Sequence, residues 1–490
     1  MLELDWKSKN MAAPEISFRS SSPSSSSSRI SDEGKPSLCY SNSPQLIRDE
    51  SAIAAYEHYF RLPELSKLWS CRDFPEWKDE PIVKPALQAL EITFRFVSVA
   101  LSDPRPYANH REWRRRLESL AARQIELVAA LCEEEEEGGG APVAGLSPSQ
   151  GVLSRERSSQ EVWKLPGASA VVSRTSEASL LPRLATWDKT EDAASAIAYQ
   201  IEGQMRRCRF TLGLGEPNLA GKPALEYDLV VRPAELHALR RSPSESRAPR
   251  NRESEALVTI HQILESWLCA ARELLSRVGR RIDGEQWEGA ASDCWLLERT
   301  WKLLGEVEDL HLLTDPDDFL RLVKSQLAIR AGSGSDALCF RSAALVEAAD
   351  ASRELKRRVP WVLGVEVDPD GGPRLQEAAM RLLHSRRRGE GGNSGRIDLL
   401  QSFQAVEAAV RRFFFGYRQL IAGVMGSLEA GGNRSLFLPS ESLDPLSQMF
   451  LEPPYFPSLD AAKTFLGDFW SKDASDTGCG CSSKTTAPRC

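Results

Sequence analysis

The sequence predicts an all-α protein, a helical bundle with disordered tails and a loose internal linker, and three observations predict it. Apolar residues recur at steps of three and four in five long stretches, the spacing that lines one face of a helix. No alternation of polar and apolar residues runs long enough for a half-buried strand. Clusters of Pro, Gly and Ser separate the stretches, and no internal repeat of fixed period is visible.

Taken in order, residues 1–50 form a Ser- and Pro-rich tail that cannot bury enough apolar surface to offset the entropy of ordering. Structure is expected from near Tyr56. Leu87, Leu90, Phe94 and Val97 mark a helix over 85–100, and Leu117, Leu120, Ile125 and Val128 a second over 113–132. The acidic run Glu133 to Glu137 and the breaker Gly138-Gly139-Gly140 open a segment without periodicity, predicted as a mobile linker over 133–178. A helix follows over 192–210, then a looser stretch, 213–251, rich in Pro and Gly. The clearest helix spans 256–278, where Leu257, Ile260, Leu264, Trp267, Leu268 and Ala271 trace one stripe and Asn251 or Ser254 can cap its start. Another over 293–311 carries Leu297, Trp301, Leu304 and Val307 on one face. Pro316 opens a helix whose early Asp317 and Asp318 suit its dipole. The last long helix, 397–425, has a heptad-like seam from Leu399 through Phe403, Val410 and Tyr417, read as bundle core or as a coiled-coil partner surface. These elements divide into an N-terminal helical part, 51–180, including the linker, a C-terminal helical part, 181–472, and a Cys-containing tail, 473–490.

Composition narrows the function classes. The 490 residues are 41% hydrophobic and 27% charged, ordinary for a globular protein, and the net charge of −7 argues against general nucleic-acid binding. No apolar run of about 18 residues offers a membrane span. The opening Met1-Leu2-Glu3-Leu4-Asp5 lacks the basic and apolar regions of a secretory signal, and its acids count against a transit peptide. Ten cysteines fall short of a disulfide scaffold. Cys269 and Cys294 sit in helical patterns as small hydrophobes, while Cys479, Cys481 and Cys490 belong to the tail, where thiols on a loose segment, metal binding and lipidation remain open. A reducing compartment is expected, the cytoplasm with the nucleus as alternative.

Catalytic motifs are scarce. The segment from Gly215 to Pro223 has one residue too many for a phosphate loop, places Pro223 where a metal-binding hydroxyl is needed, and follows no apolar strand, so a turn is expected. Asp368-Pro369-Asp370-Gly371-Gly372 has too few carboxylates at calcium-loop spacing; Pro373 suits the start of a helix. The basic cluster from Arg111 to Arg116 surrounds Trp113 and reads as a solvated helix face. Around Ser158, Leu153 at −5, Arg155 at −3 and Val162 at +4 resemble the preferred substrate pattern of the AMP-activated, energy-sensing kinases. The linker would present that serine in an extended form, making it a candidate phosphosite.

Several long blocks resemble the plant nematode-resistance protein family first known from sugar beet. They include Tyr59-Phe-Arg-Leu-Pro-Glu-Leu-Ser-Lys-Leu-Trp69, Lys84-Pro-Ala-Leu-Gln-Ala-Leu-Glu91 and Asn109-His-Arg-Glu-Trp113. Leu212-Gly-Leu-Gly-Glu216, Glu366-Val-Asp-Pro-Asp-Gly-Gly-Pro-Arg-Leu-Gln-Glu377 and Pro457-Ser-Leu-Asp-Ala-Ala-Lys-Thr-Phe-Leu-Gly467 continue the likeness over about residues 55–470. This resemblance implies a two-part, non-enzymatic positive regulator of basal resistance to pathogens and nematodes, associated with the plant sucrose-nonfermenting-related kinase complex. It names no catalytic residue, metal or cofactor.

A more distant resemblance bears on mechanism. Thr259-Ile-His261-Gln262-Ile-Leu-Glu265-Ser-Trp267 is similar to the His-Gln…Glu-Leu-Trp helix of haem tryptophan dioxygenases, as is Tyr56-Glu-His-Tyr59 to their N-terminal Tyr-x-x-Tyr helix. Asp315-Pro-Asp-Asp-Phe319 and Ser333-Gly-Ser-Asp-Ala-Leu-Cys-Phe340-Arg341 resemble the segments that follow. It implies a dioxygenase-like C-terminal fold and a candidate ligand pocket of Tyr56, Tyr59, His261, Gln262, Trp267 and Phe319 for a small aromatic molecule. In those enzymes a second histidine holds the iron, and the matching helix here, 406–425, has none: Tyr417 or Gly416 takes its place. The arginine for the substrate carboxylate falls on Val323, and the Gly-rich loop is reduced to Ala430-Gly-Gly-Asn-Arg-Ser435. Haem oxygen chemistry needs an axial ligand and a desolvated carboxylate needs a charged partner, so a retained scaffold without the chemistry is expected. His261 itself reads three ways: a hydrogen-bonded core histidine, a pocket residue with Trp267 and Phe319, or a haem contact.

Overall fold

In the computed structural model the described residues are 50–102, 109–133, 143–144, 176, 178–185, 189–216, 224–243, 252–321, 338–366, 373–387, 393–425 and 452–464. Ser158, Cys479, Cys481, Cys490, residues 1–49 of the expected N-terminal tail and the whole expected C-terminal tail lie outside them.

The all-α expectation holds. The chain begins with α1 (Glu50–Tyr59) and α2 (Leu62–Ser70), then the long α3 (Glu80–Leu101) and α4 (His110–Leu131). Short helices α5 (Leu180–Leu184), α6 (Glu191–Gln204), α7 (Tyr227–Val231) and α8 (Pro233–Ala238) lead to α9 (Arg252–Asp283) and α10 (Trp287–Glu308). α11 (Pro316–Arg321), α12 (Ala343–Glu354), α13 (Val359–Leu363) and α14 (Pro373–Arg387) precede α15 (Ser394–Met425). Among the described residues, strands amount to Val143–Ala144 paired antiparallel with Ala224–Leu225. That pair pins a point inside the segment expected to be a mobile linker, and Ser176 near its end donates to the Asp228 carboxylate.

α3 is the axis of the fold. All of its residues except Pro81, Ser98 and Val99 are buried, because α2, α4, α5, α7, α8 and α9 pack around it. It starts one turn earlier than the apolar spacing indicated. Pro81 occupies the first turn, where a missing N–H does no harm, and Pro85 forgoes one helical bond further in. A helix enclosed on every side must pair most of the polar groups it carries, and α3 leaves only Gln88 Oε1 and Arg95 Nε among its buried side-chain atoms without a partner. Glu80 accepts from the backbone amides of Asp73 (3.0 Å) and Phe74 (3.3 Å). Lys84 donates to the Cys71 carbonyl (2.6 Å) and to Asp73, which Arg232 also holds at 2.7 Å. Gln88 donates to the Val231 carbonyl. Thr93 accepts from Gln124 of α4 at 2.7 Å.

α9 lies between α3 and α10, and α15 covers α10. The seam of α15, Leu399, Phe403, Val406, Val410, Phe413, Tyr417 and Leu420, is buried in this core, so it packs the bundle. Asp293 of α10 is locked by Arg277 of α9, whose guanidinium donates to both its oxygens at 2.6–3.1 Å, with Arg281 at 3.2 Å. Residues 452–464 return as a strap over α15: Phe456 stacks on Phe403 at 5.8 Å, and Arg411 donates to the carbonyls of Glu452 (3.0 Å) and Pro453 (2.7 Å). Among the described residues no helix is long and apolar enough to cross a membrane.

Candidate functional site

The helices converge on a buried cluster of tyrosines and histidines. His261 and Glu265, four residues apart on α9, share one face of that helix. α1 brings Tyr56 against both; Phe60 follows it directly. A 3-10 turn, Asp309–Leu313, supplies His311, α11 supplies Phe319 and α15 Tyr417. All these side chains except Glu265 have an aromatic or imidazole ring, and none is more than 4% exposed.

The Tyr56 hydroxyl donates to Glu265 Oε1 at 2.9 Å and lies 3.1 Å from His261 Nδ1. A hydroxyl has one proton; having given it to Glu265, its oxygen accepts from Nδ1–H. Phe60 covers the His261 ring, centroids 4.1 Å apart and planes at 31°. The His311 ring stands 5.2 Å from that of His261, with Phe319 at 5.3 Å beyond it. His311 Nδ1 donates to the Glu308 carbonyl at 2.8 Å and lies 3.2 Å from that residue's carboxylate. Tyr417 OH accepts from the Cys339 amide at 3.2 Å.

Burial governs the protonation states. It holds the His261 pKa well below the ordinary imidazole value, assisted by the neighbouring His311, so His261 is neutral. Burial raises Glu265 to about 7, against the opposing hydrogen bonds from Ser342 and Tyr56. Tyr56 and Tyr417 are pushed well above the usual phenol range, mainly by desolvation. Among the described residues, neither His261 Nε2 nor His311 Nε2 has a hydrogen-bond partner.

The residues expected in a pocket divide. Tyr56, His261 and Phe319 join the cluster, and Tyr59 packs at its edge against Phe60, 5.0 Å between centroids. Gln262 and Trp267 are placed elsewhere, because each step along a helix turns the side chain by about 100°. Gln262 accepts from Arg95 at 2.7 Å and donates to the carbonyls of Phe60 (3.0 Å) and Leu239 (2.9 Å), which uses both of its amide protons. Trp267 donates to Gln124 at 2.9 Å. Glu265 had a signal in the sequence, its spacing from His261. His311 had none: it closes a helix pattern fifty residues downstream.

The other motifs resolve simply. Gly213 and Gly215 take left-handed φ values of 76° and 97°, and the buried Glu216 carboxylate folds back to accept from the amides of Leu212 and Leu214. That nest of amides is filled from within; residues 217–223, where the rest of the expected turn falls, lie outside the described residues. Trp113 of α4 is buried while Arg114 pairs with Asp192 and Arg116 with Glu112 at the surface. The Asp368 turn lies outside the described residues.

The fold and the cluster together define an all-α protein built around an occluded tyrosine–histidine centre. The chain belongs to the Hs1pro-1 family: the family model described as Hs1pro-1 N-terminus matches residues 1–202, and that described as Hs1pro-1 protein C-terminus matches 205–472. It is similar to Nematode resistance protein-like HSPRO2 of Arabidopsis thaliana, 49% identical over 96% of this chain and 99% of that protein. It is also similar to Nematode resistance protein-like HSPRO1 of the same plant, 50% identical over 88% of this chain and 93% of that one. The nematode-resistance resemblance in the sequence is thereby borne out. No solved structure matches.

Proposed function

We propose that this protein is a non-catalytic positive regulator of basal resistance to pathogens and nematodes in plants. It works in the cytoplasm, and in the nucleus where its partner does, by protein–protein interaction with the sucrose-nonfermenting-related, energy-sensing kinase complex. The observation that carries the reading is likeness along nearly the whole chain to two proteins named for nematode resistance. Consistent with it, most polar side chains of the axial helix α3 are engaged within the fold, Glu80 and Lys84 with the loop before it and Thr93 and Arg95 with neighbouring helices. Ser158 is the residue on which the kinase acts, since a basic and apolar context of this kind is what such kinases read.

The test is capture from plant tissue of the kinase complex by the full chain, beside a variant lacking 145–175. That deletion spares the strand at Val143–Ala144 and the bonds from Ser176 onward. Recovery of the kinase by the full chain and incorporation of phosphate that Ser158→Ala abolishes are expected. A full chain that recovers no kinase subunit ends the proposal.

A second reading, a haem- or indole-binding protein on a dioxygenase-like scaffold, is favoured by one observation. Tyr56, His261 and Phe319, from three separated segments that carry that likeness, meet in one cluster. Recombinant protein supplied with haem should then show a Soret band, and indole should raise the melting temperature. A spectrum without the band and an unmoved melting temperature remove it.

A further inference from the structure

The strap over α15, residues 452–464, is held as a bound peptide is held. Side chains of the helix beneath it bind its main chain. Arg411 donates to the carbonyls of Glu452 and Pro453 at 3.0 and 2.7 Å, and Glu407 accepts from the Tyr455 amide at 2.9 Å. Pro453 and Pro454 have no N–H, so the first amide after Glu452 is that of Tyr455, and it is taken.

The side chains of the strap are read as well. The Glu452 carboxylate meets Arg353 of α12 at 3.2 Å. Arg353 also donates to the Tyr455 hydroxyl, and the Arg411 guanidinium covers the Tyr455 ring at 5.0 Å. Phe456 stacks on Phe403 with the planes only 18° apart. Pro457 then opens a helical turn from which Leu459 and Ala462 are buried. The two prolines ahead of the aromatic pair stay exposed and fix an extended backbone, which lowers the entropy lost when such a segment docks.

The groove is complete without its occupant. Glu407 and Arg411, one turn apart, pair with each other at 2.9 Å, and both helices bond their own backbones. Removing the strap would uncover Phe403 and a solvated ion pair rather than break a helix. Nor does the covalent connection confine the strap. Arg411 lies about 21 Å before the end of α15 at Met425. The 26 residues 426–451, which lie outside the described residues, can span up to about 90 Å. We propose that the groove between α12 and α15 is a recognition site for an extended peptide carrying an acid, two prolines and an aromatic pair. The chain's own strap fills it until a partner protein bearing the same chemistry displaces that strap. The site stands apart from the kinase reading, since it is defined by the peptide it holds and not by the protein that supplies it.

A protease site placed within 426–451 of the full chain lets the connection be cut after folding. A labelled peptide of residues 451–466 is then titrated and its anisotropy followed. In the uncut chain the tethered strap competes at an effective concentration on the order of millimolar, so uptake is weak. In the cut and diluted chain the peptide should bind at least tenfold tighter. Phe456→Ala in the uncut chain should give a similar gain, and adding Arg411→Ala should abolish it. An unlabelled peptide with Tyr455→Ala and Phe456→Ala should not compete. A dimer of the uncut chain that the peptide dissolves would also support the site, with a second copy of this chain as the partner. A cut chain that stays folded by circular dichroism yet binds no better than the uncut one overturns the proposal. So does a cut chain that unfolds, which would make the strap part of the core, and so does equal competition by the doubly substituted peptide.

Discussion

Glu91→Ala lowers the unfolding free energy by about 4 kcal/mol, enough to bring a domain of ordinary stability close to unfolding at room temperature. The Glu91 carboxylate is fully buried on α3 and accepts four hydrogen bonds. Ser179 Oγ donates at 2.7 Å, the Leu180 amide at 2.8 Å, Tyr227 OH at 2.8 Å and His237 Nε2 at 2.8 Å. Truncation strands four donors at once, and buried donors left unpaired cost far more than bonds exchanged with water. Urea unfolding followed by circular dichroism should show a lower midpoint at an unchanged slope. Tyr227→Phe, which removes one donor and leaves the others, should cost about 1 kcal/mol. Equal midpoints for Glu91→Ala and the parent protein would mean that the carboxylate does not tie these elements together.

The second large effect is one of pH. Glu265 has a folded value of about 7 against an ordinary 4.5, so the folded chain holds this proton more tightly than the unfolded chain does. The stability it contributes is fully present below pH 4.5 and is lost as the pH rises through 7. Over that window a single group of this kind is worth about 3 kcal/mol. Glu265→Gln, which cannot titrate, should therefore gain on the parent protein by about that amount between pH 4.5 and pH 8. Buried Glu216 and part-buried Glu407 are shifted in the same direction and slope both proteins alike, so the difference between the two isolates Glu265. Parallel curves would show that Glu265 keeps its ordinary carboxyl value in the folded chain, contrary to its burial.

The long helices were legible in the sequence because a stripe such as Leu257 to Ala271 can come from no other element, and α9 and α15 extend only a few residues past the ranges it marked. Short helices such as α7 and α8 left too few turns for a period to emerge, and α12 was hidden between a Gly- and Ser-rich stretch and a 3-10 turn. The cluster was half legible. Tyr56 and His261 could be named from local patterns, but their contact spans 205 residues, and His311 has no motif around it. Gln262 and Trp267 were drawn in by nearness along the chain, which on a helix is no guide to a shared face. The partners of Glu91 lie 88 to 146 residues away, a distance at which sequence spacing carries no information.

The enclosure of α3 has a genetic consequence. A helix with neighbours on all sides has almost no position where a substitution meets only solvent, and its polar side chains each answer to a specific atom on another segment. Changes there are coupled to changes elsewhere, since contacting residues do not contribute independently. Divergence among relatives along residues 80–101 should come as matched pairs. Resistance lost through one altered codon in this stretch should be restored most readily by a second alteration in the helix it touches.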